Sequence, residues 1–392
     1  MSTLNQYDAW LHDDGPAALV IREYLIPVEG PDGVLFPAGF APEEGADKDR
    51  SKFQGGYNID HFDGEFSAKI SYQHPGDRKL ETDLKNRQDG NVCLVDSVGS
   101  QANRIEPLFA KEKYRGLVPQ VNIIAGEKTI SLLDAGHRAG DALIRSTPLQ
   151  AELHKAFKAV QAGDAGLLAK IAPTSLVFGV WDSRNTQAKL PRLVASTIRA
   201  YSVRSLTRSA QYNPAAEYEK EELLPPHAEL KLTEKDYGKR GFSHVPATAT
   251  HGGVIADGGI RRDATLSLAA LRLLRAGADQ ARTDALRRYI LGLSLVALTA
   301  TSSTYLRQGC NLVPDVDKPR EFTLVHGDGR RESATVTHDA ALAYAKEAAK
   351  AFGIGEDQTV AFDKELAKKD VTGEGEAEKS KKARAKSAKG TK

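Results

Sequence analysis

The pattern of apolar and polar positions predicts strands that alternate with helices. Short runs of branched apolar residues bounded by turn residues are typical of strands, and apolar residues that recur every three or four positions are typical of helices. The predicted strands are Ala17–Val28, Asn91–Val98, Val121–Ala125, Thr129–Leu133 and Ser175–Trp181, with an extended segment at Gly253–Ile260 and a hairpin over Pro319–Val336. The predicted helices are one that starts near Ser100, Ala135–Ile144, Leu149–Gln161, Leu266–Arg275, Ala281–Leu306 and His338–Phe352.

Two long irregular segments interrupt this alternation. Residues 29–91 are rich in Gly, Pro and charged residues, and residues 213–245 are rich in Pro and charge. Loops of such length inside a globular chain are usually functional or partly disordered. The pattern therefore favours an α+β body with large insertions.

The segment Leu190–Tyr201 predicts a helix with one apolar and one basic side. Its apolar residues follow the i, i+3, i+4, i+7 spacing of a buried face. At about 100° per residue, Lys189, Arg192 and Arg199 would cluster on the opposite side. The following residues alternate like a strand, which would turn Arg204 and Arg208 the same way.

This region carries basic residues without acids in a chain that is nearly neutral. The chain has 54 Lys and Arg against 52 Asp and Glu, yet none of the acids lies between Ser183 and Ala216. A solvated face usually mixes both signs because like charges repel. The composition therefore favours a polyanion-binding surface over a face whose arginines pair with acids elsewhere in the chain. The residues that would form it are Arg184, Lys189, Arg192, Arg199, Arg204 and Arg208.

The residues that follow the strand at Asn91–Val98 are a second candidate contact to phosphate. Gln101, Asn103 and Arg104 lie at the predicted start of a helix, where backbone and side-chain donors can hold an anion. Ordinary capping by Ser97 or Ser100 explains the same pattern equally well.

Two glycine-containing segments supply further candidates. Glycine permits close approach of the backbone to a ligand, although a glycine-rich hairpin is the simpler interpretation because neither segment has a Walker A or dinucleotide-binding pattern. The candidate residues in these segments are His251, Arg261, Arg262, Lys52 and Gln54.

Several classes of function are disfavoured. Cys93 and Cys310 form no CxxC pattern, which argues against a zinc site or a disulfide scaffold and fits a reducing cytosol. The ten histidines form no HExxH or HxxxH pair, so we expect no metal and no other cofactor. The first residues lack a signal-peptide pattern, and the longest apolar run, Tyr289–Ala300, is too short to span a bilayer. We therefore expect a cytoplasmic protein without a membrane contact.

The last residues of the chain, about 371–392, predict a disordered basic tail. The final fourteen residues carry seven Lys or Arg and no acid, with almost nothing apolar to bury. Such a tail either keeps the chain in solution or contacts RNA or DNA loosely.

The block LVFGVWDSRNTQAKLPRLVASTIRAYSVRSLTRSAQY, together with VCLVDSVGSQANRIEP, resembles a known family. That family is the RAMP-superfamily backbone subunit of type I-G (formerly I-U) CRISPR effector complexes, the seventh CRISPR-associated protein family. The resemblance implies an RRM-like, ferredoxin-like palm spanning residues 1–370, with insertions at about 29–91 and 212–251. The second insertion would act as a thumb.

The resemblance also implies a function. Several copies would stack head to tail along a CRISPR guide RNA, beside other effector subunits, and present the guide for pairing with a target DNA strand. Such a subunit is a structural RNA binder without a catalytic residue. The alternatives are a CRISPR-associated endoribonuclease that acts on precursor or target RNA, with His251 or Asp257 as candidate groups, and a generic single-strand-binding protein. The aromatic stacking signature of RRM domains is absent, which leaves the sheet face unassigned.

Overall fold

Strands and helices alternate along the chain in a computed structural model that describes residues 3–46, 48–49, 52–61, 69–73, 79–83, 90–301 and 303–373. The strands are β1 Ala18–Pro27, β2 Gly39–Phe40, β3 Gly56–Tyr57, β4 Ile59–His61, β5 Lys69–Gln73, β6 Lys79–Asp83, β7 Asn91–Asp96, β8 Val121–Ala125, β9 Lys128–Ser131, β10 Val180–Trp181, β11 Lys189–Leu190, β12 Val194–Tyr201, β13 Val203–Tyr212, β14 Val245–Ala256, β15 Ile260–Ser267, β16 Tyr305–Arg307, β17 Cys310–Pro314, β18 Glu321–Val325, β19 Arg331–Ser333 and β20 Gln358–Ala361. The α-helices are α1 Asp8–Leu11, α2 Val98–Ile105, α3 Ala142–Arg145, α4 Gln150–Gln161, α5 Gly166–Ile171, α6 Thr174–Phe178, α7 Glu234–Lys239, α8 Leu268–Arg272, α9 Gln280–Thr299, α10 His338–Phe352 and α11 Lys364–Thr372. Short 3₁₀ helices cover Thr3–Asn5, Glu106–Ala110, Glu112–Tyr114, Leu132–Asp134 and Arg138–Gly140.

The centre of the fold is an antiparallel sheet of nine strands. Its order is β16-β17-β1-β15-β12-β7-β4, and β18 pairs with the first half of β1 and with β19. Residues alternate between buried and half-buried along the whole of β1, so one face of the sheet packs on the core and the other does not. The prediction of a mixed α and β structure is confirmed.

Helix α9 is the centre of the larger hydrophobic core. Its residues from Tyr289 to Thr299 are all buried, as expected for a helix that is apolar on every side. It packs closely on α10, where a Cβ on Gly292 would lie 2.8 Å from Cα of Ala345, so a larger residue would force the helices apart. A smaller cluster lies towards the other end of the sheet and includes the free thiols of Cys93 and Cys310.

Several predicted elements are confirmed. Strand β1 and helices α4 and α10 lie within one residue of their predicted positions, and β18 and β19 form the predicted hairpin. The predicted helix at Ala135–Ile144 is instead a 3₁₀ turn followed by the short helix α3, and the predicted helix at Ala281–Leu306 ends at Thr299.

The prediction of a helix at Leu190–Tyr201 is wrong. Those residues contain the end of β11 and all of β12, which lies inside the sheet between β15 and β7. The side chains of Val194, Ser196, Ile198 and Ala200 alternate into the core. Because Ser196 and Ala200 do not count as strongly apolar, the alternation was hidden and the remaining apolar residues matched a helical spacing.

The prediction of a strand at Ser175–Trp181 is also wrong over most of its length. Thr174–Phe178 form helix α6, and only Val180 and Trp181 are extended. A short run that is buried on every side has no periodicity to reveal its type. Pro173 precedes the helix and Gly179, with φ of 80°, ends it, which is the usual placement of these two residues.

The first irregular segment contains strands, and the second lies at the end of a two-stranded ribbon. In residues 29–91, the described part includes β2 to β6, and β4 extends the main sheet by pairing with β7. Residues 203–256 form a ribbon of β13 and β14, called the arm here, with residues 213–244 at its end. The arm begins where β12 ends and returns where β15 begins, so it is an insertion between these two strands of the sheet. The tail is predicted from about residue 371, but residues 374–392 lie outside the described residues.

Candidate nucleic-acid interface

A cleft of about 490 Å³ gathers three of the predicted contact residues. Asn103 from α2 and Lys189 and Arg192 from the basic stretch line it together with Trp181 and His137. None of its lining residues, all of them described, is acidic. The cleft can therefore accept an anionic group without repulsion from a carboxylate in its own wall.

The one acid at the start of the basic stretch points inward and shapes a wall of the cleft. Asp182 is buried, and its carboxylate accepts hydrogen bonds from the backbone N–H of Asn185 and from both the N–H and the hydroxyl of Thr186, at 3.2, 2.8 and 2.7 Å. These bonds hold the turn that joins β10 to β11. Asp182 is therefore a structural residue, and Arg184 lies exposed on the outside of that turn.

Trp181 and Lys189 face each other across β10 and β11. They are register partners, and Nζ of Lys189 lies 5.6 Å from the centre of the Trp181 ring. Trp181, one of the two tryptophans in the chain, is 55 % exposed. Sequence reasoning did not select it as a site residue; the available signal was a large aromatic residue next to the basic stretch.

Arg138 lines the cleft and forms a buried ion pair with Glu106, which does not line it. Nε of Arg138 lies 2.7 Å from the Glu106 carboxylate, and the guanidinium stacks on the Phe178 ring at 5.3 Å. Burial raises the pKa of Glu106 to about 7, and burial also lowers the pKa of Arg138. The pair joins residues that are far apart in the chain, so no local pattern in the sequence pointed to Arg138 as a site residue.

Gly179 allows Arg192 to enter the cleft. Its φ is 80°, and a Cβ there would lie 2.9 Å from Cγ of Arg192. A side chain at this position would strain the backbone and push Arg192 away. The side chain of Arg192 is itself exposed.

Arg199 and Arg261 lie side by side on the half-exposed face of the sheet. They are register partners on β12 and β15. Arg261 donates to Asp263 at 3.0 Å and to the hydroxyl of Tyr201 at 3.0 Å, and its guanidinium lies 5.0 Å from the Tyr201 ring centre. Tyr201 is half-buried and borders a cavity of about 170 Å³ that Tyr24 also lines.

The arm carries three predicted residues. Arg204 binds the Asp257 carboxylate with two hydrogen bonds, and the guanidinium of Arg208 lies 5.4 Å from the centre of the Phe36 ring. The ring of His251 contacts Tyr57 at 5.3 Å between ring centres. The six basic residues therefore occupy four places. Arg184 lies on the turn between β10 and β11, and the others lie in the cleft wall, on the sheet face and on the arm.

Besides Arg204 and Arg261, five further predicted residues are engaged by the protein itself. Arg262 is buried and donates to Glu23 at 2.9 Å and to Ser196 at 3.1 Å. Gln101 and Arg104 both donate to Asp96. Lys52 and Gln54 donate to backbone carbonyls of their own loop. These contacts leave Arg262 and Gln101 inside the protein, where they organise the sheet and α2.

No cluster of three or more His, Cys, Asp or Glu residues in the described ranges could hold a metal ion. In the same ranges, no helix has both the length and the apolar character needed to cross a membrane.

Residues 19–205 match the family model described as CRISPR-associated protein GSU0053. No curated protein matches the chain. The matched range includes all of β1 except Ala18, together with α2, the whole cleft wall from Phe178 to Arg192, and β12.

Proposed function

We propose, from the premise that residues 19–205 belong to a CRISPR-associated protein family, that the chain is a backbone subunit that binds guide RNA in a type I-G CRISPR surveillance complex. In this proposal it has no catalytic residue. Several copies bind one guide RNA, contact other effector subunits in the cytoplasm, and present the guide for pairing with target DNA.

The observation that carries the proposal is the acid-free cleft. A backbone subunit must hold any guide, so it has to bind phosphates and shape while base pairing supplies sequence specificity. Lys189 and Arg192 in the cleft wall suit that task because they bind phosphate regardless of the base. Arg199 on the sheet face and Arg204 and Arg208 on the arm extend the basic surface beyond the cleft.

The strand order supports a RAMP-type palm. Strands β18, β1, β15 and β12 are neighbours in that order, with α2 to α6 between β1 and β12, and α8 and α9 between β15 and β18. This is the order of a ferredoxin-like β-α-β-β-α-β module, in which the fourth strand lies beside the first. The arm joins the second strand of that module to the third, and we assign it the role of the thumb.

Assembly follows from one repeated contact. A head-to-tail contact that does not close produces an open helical filament. Such a filament places the cleft of every copy along one RNA, so each copy needs only a few phosphate contacts of its own.

A charge-reversal pair tests the RNA-binding surface. Lys189→Glu with Arg192→Glu should weaken binding of single-stranded RNA at least about tenfold, and should reduce the slope of log K against log salt from about −4 to about −3, since each single-strand phosphate contact adds about −0.7. The matched control is Lys346→Glu with Lys350→Glu, which makes the same charge change on exposed positions of α10. Equal binding by both double variants would refute the assignment of the cleft.

Cutting of repeat or target RNA by the purified protein would refute the non-catalytic role.

A further inference from the structure

We propose that Trp181 is a stacking platform for one nucleobase of the bound RNA, with Lys189 and Arg192 holding the phosphate beside it. This inference rests on the proposed RNA-binding function and specifies how the cleft recognises its ligand. The ligand class is a single-stranded nucleotide read by its aromatic face, without regard to the identity of the base.

The indole ring of Trp181 is unusually exposed for a tryptophan. The ring is 55 % exposed at the rim of a cleft, whereas tryptophan is usually largely buried. The ring contacts the ammonium group of Lys189, which is also exposed, and such a contact is weak in water. A base that stacked on the ring would cover apolar surface that the protein leaves in contact with solvent.

The charge around the Trp181 ring is positive. Lys189 and Arg192 lie in the same wall as Trp181, and no carboxylate lines the cleft. The third cation, Arg138, is neutralised by Glu106, so the net positive charge of the cleft comes from residues at its rim. A base on Trp181 would carry its phosphate to these two residues, and Lys189 could exchange its contact with the ring for a contact with phosphate.

The cleft has the volume of a small-ligand site, and the two residues of the platform are held in place. Its volume of about 490 Å³ falls within the roughly 300–1,000 Å³ that is usual for small-ligand sites. Trp181 and Lys189 are held by the β10–β11 pairing and by the turn that Asp182 caps. The platform is therefore preformed, which lowers the entropic cost of binding.

A sequence-independent platform is the mode that a guide-binding subunit requires. Every base has an aromatic face, so stacking tolerates any sequence, whereas hydrogen bonds to base edges would select particular guides. An exposed tryptophan also suits a protein–protein contact, and the experiment is designed to separate the two.

Intrinsic fluorescence gives a direct readout. The chain has two tryptophans, so Trp10→Phe leaves Trp181 as the single indole. Titration with an oligouridylate of about twenty nucleotides should quench this fluorescence, with a midpoint equal to the dissociation constant from anisotropy of labelled RNA. An abasic oligomer of the same length, which has phosphates but no bases, should bind more weakly and leave the fluorescence unquenched.

Substitution provides the second readout. Trp181→Ala should weaken oligouridylate binding about fivefold to a hundredfold, the usual effect of losing one stacked base, and Trp181→Phe should retain most of the affinity. Binding by anisotropy without quenching would overturn the platform and leave the proposed function intact. The absence of RNA binding in the unsubstituted protein would instead overturn the proposed function. A Trp181→Ala variant that binds RNA normally but fails to assemble would show that Trp181 contacts protein, and would also overturn the inference.

Discussion

Arg204 and Asp257 form a two-point ion pair at the base of the arm. Nε and Nη2 of the arginine lie 2.6 and 2.9 Å from the two carboxylate oxygens. The hydrogen bonds raise the pKa of Arg204 and lower that of Asp257. A basic stretch without local acids can thus meet an acid from a distant part of the chain, and Arg204 contributes less free positive charge than its sequence context suggests.

Removing the acid of this pair should tighten RNA binding. Asp257→Asn frees Arg204 for phosphate, and because exposed pairs contribute little free energy, the gain in affinity should be about two- to fivefold. Fluorescence anisotropy with single-stranded RNA measures it. Asp257→Asn combined with Arg204→Ala should show no gain, and a gain in that double variant would mean that Arg204 is not the residue released.

Breaking the buried pair between Glu23 and Arg262 should destabilise the fold. Both side chains are 2 % exposed, and Arg320 also contacts Glu23. Glu23→Ala leaves two arginines without their shared carboxylate, so the free energy of unfolding should fall by about 3–5 kcal/mol. Urea denaturation measures this change. Arg192→Ala at the exposed cleft rim should change the same quantity by less than about 0.5 kcal/mol, and a similar loss in both variants would contradict the structural role of Arg262.

His338 should make stability depend on pH. The Nδ1 atom of His338 lies 3.0 Å from the Thr299 hydroxyl. Because that hydroxyl donates its proton to the Leu295 carbonyl, it accepts a hydrogen bond from the ring. The Nε2 atom of His338 lies 2.9 Å from the Tyr114 hydroxyl. These contacts hold the neutral imidazole, and burial lowers its pKa from 6.5. The unfolded chain therefore takes up a proton first, and this group's contribution to stability is lost as the pH falls below about 6.5.

Denaturation of the protein and of His338→Gln at pH 7.5 and pH 5.5 tests this prediction. The unsubstituted protein should lose more stability between the two values than the variant does. An equal loss in both would show that His338 does not titrate with folding.

Shortening the arm should separate RNA binding from assembly. Tyr212 and Val245 are paired at the end of the ribbon, so residues 213–244 can be replaced by an Asn-Gly turn. The removed segment exposes Leu223 and Leu230 at 57 % and 51 %, apolar surface suited to a neighbouring protein. The shortened chain should bind short RNA with unchanged affinity but no longer place several copies on a long RNA, as measured by sedimentation; full assembly would contradict the thumb assignment.

The sequence predicted elements with clear periodicity and failed where burial hid the pattern. Strand β1 and helix α10 were predictable because each has one covered and one open side. Strand β12 was not, because Ser196 reaches the core through hydrogen bonds with Gln101 and Arg262, a contact between distant segments. The same limit applies to the site: the excess of basic residues was visible, but the gathering of Trp181, Asn103 and Arg192 in one cleft depends on the tertiary fold.

The mass of the complex formed on one RNA shows whether several copies of the chain bind a single guide. The protein should be produced together with a CRISPR repeat–spacer RNA, and the intact complexes should be measured by native mass spectrometry. We expect several copies of the chain on a single RNA of defined length, with fewer copies after Lys189→Glu with Arg192→Glu. RNA-free monomers, or single copies on RNA of random length, would contradict it.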